Sequence, residues 1–302
     1  MHQCHPILTI YAGDHPEQCL VSCTKTSNCP KGDPSGLLGG NVPCYAHDIN
    51  SVLEALDEYN PIEQPKEYIN WCTGMGIKLV INPFWKFLPY ANIHQSITLD
   101  VLHQLHQGVT KHLISWLQSA FSTLELDQQS HCLPLNHNVQ NFSKGISSFS
   151  QMSGKEHAEI SKILLGLIIG LPLPENHSSN KLLHAIKGIL DFTYLTQLPS
   201  HTNKTLANMS ATLNAFHINK SIFIELQIQD NFNFPKLHSL LHYMPSIQLF
   251  GTTNNYNTEH TECLHIYLAK NAYATTNHKD EPSQMTIWLE RKDKITRFDD
   301  FV

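Results

Sequence analysis

Apolar residues recur at three- and four-residue spacing from Leu99 through Leu102, Leu105, Val109, Leu113, Trp116 and Leu117 to Phe121. Over about six turns, that spacing lays a single apolar stripe along one side of a helix. Three more helical patterns follow, Ala158 to Leu171, Leu182 to Leu195 and Leu206 to Leu226. Within the first of these, Ile163 to Leu171 is apolar all round, as expected of the central helix of a bundle. Pro172 and Pro174 stop it, Asn176 to Asn180 reads as a polar loop, and Pro199 and Ser200 mark the next boundary. The middle of the chain is therefore a helical block.

The stretch before it is mixed. Pro6 to Ala12 is β-branched and aromatic and reads as a buried strand, ending in the turn signal Gly13-Asp14-His15-Pro16. Asp14 thus stands just past a strand end, where active-site carboxylates often sit; turn chemistry alone also favours Asp there. Ile49, Val52, Leu53 and Leu56 predict an amphipathic helix from Asp48 to Tyr59, and Ile77 to Ile81 is a short apolar run. At the other end, Ser283 to Val302 reads as an amphipathic helix through Met285, Trp288, Ile295 and Phe298. Its Arg291, Lys292, Lys294 and Arg297 make it the one locally basic element, read as a solvated charged face.

Charge limits the partners. The 302-residue chain has a net charge of −6, 20 histidines and only two arginines, Arg291 and Arg297. A protein that binds duplex DNA unaided shows a basic, arginine-rich face, which this composition does not supply. The eight cysteines (Cys4, Cys19, Cys23, Cys29, Cys44, Cys72, Cys132 and Cys263) crowd toward the start without a secretory leader, so reduced or metal-bound thiols are expected. The most apolar run is far shorter than the roughly 20 residues that span a bilayer. A soluble protein with no membrane partner, nuclear or cytoplasmic, is the expectation.

Candidate ligands gather in Lys236 to Tyr273. His238 and His242 lie one helical turn apart, a Gly/Thr/Asn-rich loop follows, and Glu259, Glu262 and His265 recur at three-residue intervals as an apolar helix pattern begins. Metal-dependent phosphoryl transfer uses hard carboxylate oxygens around Mg²⁺, a role that suits Asp14 and Glu262 better than the cysteines. The same residues also make an ordinary polar helix cap. A third carboxylate is not obvious, because Asp100 in a helix's first turn is explained by the dipole, and His103 and His106, on the same face, by packing or hydrogen bonding. Cys29-Pro30-Lys31-Gly32 looks like half of a zinc knuckle whose second cysteine is glycine, with Cys23 or Cys44 as substitutes. No His-Glu-x-x-His, no phosphate loop and no Gly-x-Ser-x-Gly elbow is present. Glu262-Cys-Leu-His265 lacks the paired copy of a di-iron bundle, and His260-Thr-Glu262 lacks the following cysteine pair of a deaminase.

Several stretches together resemble the Plavaka transposases of fungi, relatives of the CACTA group of DDE transposases. They are HPILTIYAGDHPEQ, NCPKG, NPFWKFLPYANIHQSITLDVLHQLHQGVTKHLISWL, KLHSLLHY, YNTEHTECLHIYLAK and QMTIWLERKDKITRF. The resemblance implies an α+β, mostly helical fold: a partial RNase H-like core from its fourth strand onward with a large all-helical insertion. On that reading residues 1–89 are core with a cysteine-rich loop, 90–235 the insertion and 236–302 the closing catalytic-helix segment. It further implies that Asp14 is the second catalytic aspartate and Glu262 the closing glutamate, twenty residues beyond His242. These two would hold Mg²⁺ or Mn²⁺. Cys29, His238 and His242 would be a degenerate zinc set, with Gly32 where a cysteine belongs.

The resemblance implies that the family's first catalytic aspartate is to be expected upstream of Met1. The expected function is thus a transposase-derived part of a catalytic domain for metal-dependent DNA cleavage and strand transfer, inactive as it stands, with transposon-end DNA as the family's partner. The alternative is a non-catalytic helical module that binds a full-length transposase or another protein.

Overall fold

The long apolar stripe is built as one continuous helical rod in two parts. A computed structural model describes residues 7–34, 44–88, 90–134, 136–143, 145–147, 152–174 and 177–301. In it, Val101–Thr110 is a π-helix that runs straight into the α-helix Lys111–Ala120. Leu105, Val109, Leu113, Ile114, Trp116 and Leu117 are buried along it, as the spacing predicts. The wide first part has a local use. A Cβ on Gly108 would come 2.9 Å from the His103 carbonyl and 2.9 Å from Cδ of Lys236. The bare backbone there lets the Lys236 stem lie against the rod, and Lys236 also donates to the Gln107 carbonyl. This docks the segment that carries His238.

Against the rod packs Gly154–Ile168, and Ser179–Thr196 packs in turn on that helix and on Asn203–Asn219, all within one apolar core. The first opens with a capping box between Ser153 and Glu156, which satisfies two end N–H groups at once. Two expectations need correction. Ile163 to Leu171 is not surrounded by protein: Ile160, Leu164, Leu167 and Ile168 are buried, but Ile169 is 62% exposed and Gly170, at φ 85°, ends the helix. The helix lies with one face on the core, so all-round apolarity overstates its burial. The Leu206 to Leu226 pattern breaks at Lys220, and Ile222–Glu225 starts a new short helix. The bend brings both Ile222 and Phe223 into the core, where the Trp116 ring lies 4.8 Å from that of Phe223, tilted by 48°.

The extended part is smaller than the sequence suggests. In the expected strand from Pro6 to Ala12, of which Pro6 lies outside the described residues, only Tyr11 pairs, in a parallel bridge with Ile97. Tyr11 donates to the Ser96 carbonyl (2.8 Å) and accepts from the Thr98 N–H (3.0 Å). Ile7 and Ile10 are 64% and 37% exposed, so the run is not a buried strand. The one sheet among the described residues is the antiparallel pair Gly32–Pro34 and Cys44–Ala46. A second apolar cluster joins Val52, Ala55 and Leu56 of the Ile49–Asp57 helix to Cys23, Tyr68, Cys72, Trp85, Ile93 and Ile97. Asp48 caps that helix by accepting from Asn50 and Ser51.

The chain divides into two units, Met1–Asn257 and Thr258–Val302. The second consists of Glu259–His265, the π-helical Ile266–Lys270, Asn271–Ala274 and the long helix Glu281–Phe301. Its amphipathic character fades along its length: Met285 and Trp288 are half-buried, while Ile295 and Phe298 are 62% and 65% exposed. Lys292 is not simply solvated, because its ammonium sits 3.7 Å from the Tyr267 ring centroid and 4.7 Å from that of Trp288. Among the described residues, no helix is long and apolar enough to cross a membrane.

Candidate metal centre

Cys29 sits in a loop tied down from several sides. The bridge between Thr24 and Ile77 and the bond from the Lys78 N–H to the Cys23 carbonyl (2.7 Å) fix its approach. His47 Nε2 donates to the Cys29 carbonyl at 2.9 Å, and His94 Nδ1 donates to the Pro30 carbonyl at 2.8 Å. Lys31 reaches the Ile97 carbonyl. The thiol is left 3% exposed.

Facing it are His238, which ends the helix Pro235–His238, and His242, which ends the tighter turn Ser239–His242. Pro235 starts the first of these with its φ already fixed for a helix. The two rings meet edge to face, 5.0 Å apart at 78°. Cys29 Sγ lies 3.2 Å from His242 Nε2 across 213 residues of chain. One ligand atom from each of Cys29, His238 and His242 lies within 4.8 Å of the others. Zinc bonds of about 2.0–2.3 Å in a tetrahedron place ligand atoms roughly 3.3–3.8 Å apart, so small movements would close this set on an ion.

His238 supplies a second, energetic indication. It is 1% exposed, and neither ring nitrogen has a hydrogen-bond partner. Leaving such a group unsatisfied costs about 1–3 kcal/mol. A metal bond to one nitrogen removes that cost. A thiol with two imidazoles is also a borderline-soft donor set, suited to zinc rather than to magnesium.

The other cysteines behave differently. Burial pushes the Cys19 thiol up to about 12, with Cys29 adding to the rise, and burial likewise pushes Cys23 to about 12 beside Cys72. Cys23 belongs to the second apolar cluster, an inert setting. The side chain of Cys44, the other suggested substitute, lies outside the described residues, as does Cys4. Gly32 opens the first strand of the hairpin and brings no donor.

Asp14 takes up its position through local chemistry. Its Oδ1 accepts from the Glu17 N–H at 2.9 Å, capping the helix His15–Val21. Oδ2 has no hydrogen-bond partner among the described residues. Gln18 pins the turn by donating to both the Gly13 carbonyl (2.8 Å) and the Thr98 carbonyl (2.7 Å). Because Tyr11 and Ile97 pair in parallel, Asp14 and Asp100, each three residues further on, leave at the same end of the paired segments.

Asp100, which the sequence explains by the helix dipole alone, has further partners in the fold. It does cap the rod, accepting from Leu102 (3.3 Å) and His103 (2.9 Å), as the dipole argument requires. It is also 1% exposed and paired with the His103 ring. Its backbone is bonded to Gln104, which contacts Gln18 in turn. Tyr243 donates to the Asp100 carbonyl at 3.2 Å; burial first, then Asp100, raises that phenol well above its ordinary range. The signal in the sequence was its offset from Ile97, which has meaning only once the parallel pairing is known.

Glu262 lies in the second unit, half-buried within Glu259–His265, with its N–H bonded to the Thr258 carbonyl at 2.8 Å. Glu259 begins that helix and His265 ends it, both exposed. Asp14 belongs to the first unit. The structure therefore brings together Cys29, His238 and His242 and describes each acidic residue within its own unit.

No curated protein matches the chain. One family model does, over residues 1–117, a span that includes Asp14, Cys29 and Asp100 and stops short of His238, His242 and Glu262. That model is described as Plavaka transposase, and over those residues the chain is similar to the Plavaka transposase family.

Proposed function

We infer that this transposase-derived chain is part of a DDE-type catalytic domain for metal-dependent cleavage and joining of DNA ends. In this reading Cys29, His238 and His242 hold zinc, and Asp14 and Glu262 are two carboxylates for Mg²⁺ or Mn²⁺. When bound, such divalent ions activate the attacking oxygen and stabilise the leaving one. The chain's own part is positional. Gln18 locks the Asp14 turn to the neighbouring segment, and the buried Asp100–His103 pair braces the end at which Asp14 emerges. The parallel pairing of Tyr11 with Ile97 and the helical block after it are compatible with an RNase H-like core and its insertion.

The observation that carries this reading is the Cys29–His238–His242 cluster, formed between residues far apart in a chain whose opening matches a transposase family. Manganese tests the acidic residues. Titrated into the full chain and followed by electron paramagnetic resonance, Mn²⁺ is expected to bind, and Asp14→Asn and Glu262→Gln each to weaken binding by about tenfold, roughly 1.4 kcal/mol. Equal uptake by both variants and the wild type would remove the two carboxylates from the account.

One observation favours the second reading, a protein-interaction module. Leu264, Ile266, Tyr267, Leu268 and Tyr273 are each more than 40% exposed on consecutive helical turns of the second unit. Binding of a partner protein that survives Glu262→Ala would support it.

A further inference from the structure

The Cys29–His238–His242 cluster offers three ligand atoms, and a structural zinc ion takes four. Beside it stands a histidine already prepared for ligation. His94, on the helix Ile93–Ser96, is 2% exposed with Nδ1 on the Pro30 carbonyl oxygen. A carbonyl only accepts, so Nδ1 carries the proton and Nε2 holds the lone pair. That Nε2 is buried and has no hydrogen-bond partner. Metal-bound imidazoles are held in this way, one nitrogen on a carbonyl and the other on the ion.

Its location agrees. The carbonyl that anchors His94 belongs to the residue next to Cys29. The ring of His47, which holds the Cys29 carbonyl, has its centroid 4.9 Å from that of His94, tilted by 53°. Cys29, Gly32, His47 and His94 line one cavity of about 640 Å³.

We propose that His94 is the fourth ligand of the metal centre, standing in for the cysteine absent at Gly32. This rests on the reading that Cys29, His238 and His242 hold a metal, and it makes the centre closed and structural rather than open. Only the other three ligand atoms lie within 4.8 Å of one another, so loading draws His94 inward with the loop to which it is bonded. The ion then joins three segments: the Cys29 loop, the Ile93–Ser96 helix and the Pro235–His242 turns.

Cobalt(II), added to the metal-free full chain, is the probe. The wild type is expected to give an intense tetrahedral visible spectrum that added azide leaves unchanged. His94→Gln should weaken Co²⁺ binding by about 100-fold or more, beyond the roughly 10- to 100-fold that loss of an outer-shell partner causes, and let azide shift the spectrum. His47→Gln, a change to the neighbouring ring, should keep the spectrum insensitive to azide. X-ray absorption at the zinc edge of the wild type, which needs no variant, should count three imidazoles and one sulfur. Two imidazoles in the wild type, or His94→Gln binding as tightly as wild type while His238→Ala abolishes binding, would overturn the role of His94 alone. Failure of the wild type to take up either metal would overturn it together with the reading beneath it.

Discussion

Buried histidines carry much of this molecule's chemistry, and their protonation can be followed one at a time. His217 shows the physics without a metal nearby. Lys220 donates to its Nδ1 at 2.9 Å, and burial, with Lys220 adding to it, holds the ring down at about 4. The unfolded ring titrates near 6.5. Between those values the unfolded chain binds the proton and the folded one does not, so stability is lost as pH falls from about 6.5 to 4. His217→Phe should therefore flatten the fall in urea midpoint across that window; an unchanged slope would place the ring in solvent. At this scale the sequence was informative about residue type and blind to partnership. Cys29, His238 and His242 were legible as a set only through the family resemblance, because nothing in local spacing links residues 213 positions apart. His94 was not legible at all: its meaning lies in which nitrogen the Pro30 carbonyl takes.

Helices were read best, since their signal is periodic and local. The rod from Val101 to Ala120 and the Ser179–Thr196 helix stand close to where the apolar spacing puts them. The break at Lys220 was hidden because apolar spacing continues through it, and the expected strand at Pro6 to Ala12 failed because a strand exists only with partners. Glycine gives the sharpest test of helix packing. A Cβ on Gly188 would lie 2.8 Å from both the Phe216 nitrogen and the Thr212 carbonyl oxygen, backbone atoms of the Asn203–Asn219 helix. Gly188→Ala should destabilise the chain by up to roughly 2 kcal/mol, the overpacking penalty of about 1–3 kcal/mol less the gain of about 1 kcal/mol in helix propensity. Gly166, whose nearest neighbour atom would be 3.9 Å away, is the contrast: Gly166→Ala should raise the melting temperature. A stabilising Gly188→Ala would mean that the two helices do not approach this closely.

For the molecule as a whole, the account assigns the Cys/His cluster the task of joining distant parts of the first unit. The Cys29 loop packs against the second apolar cluster, while His238 and His242 belong to turns that pack on the helical rod. An ion held between them would tie two cores together, and its binding energy would appear as folding energy. The measurement that bears most directly on this is the zinc content of the full chain purified without chelator, together with its melting temperature before and after chelation. The account predicts one zinc per chain, loss of that zinc in Cys29→Ala and His238→Ala, and a fall of about 6 °C on chelation, from the roughly 4 kcal/mol that a ligand at 1,000 times its Kd contributes. A metal-free chain that takes up no added zinc, and whose melting temperature ignores the chelator, would contradict it.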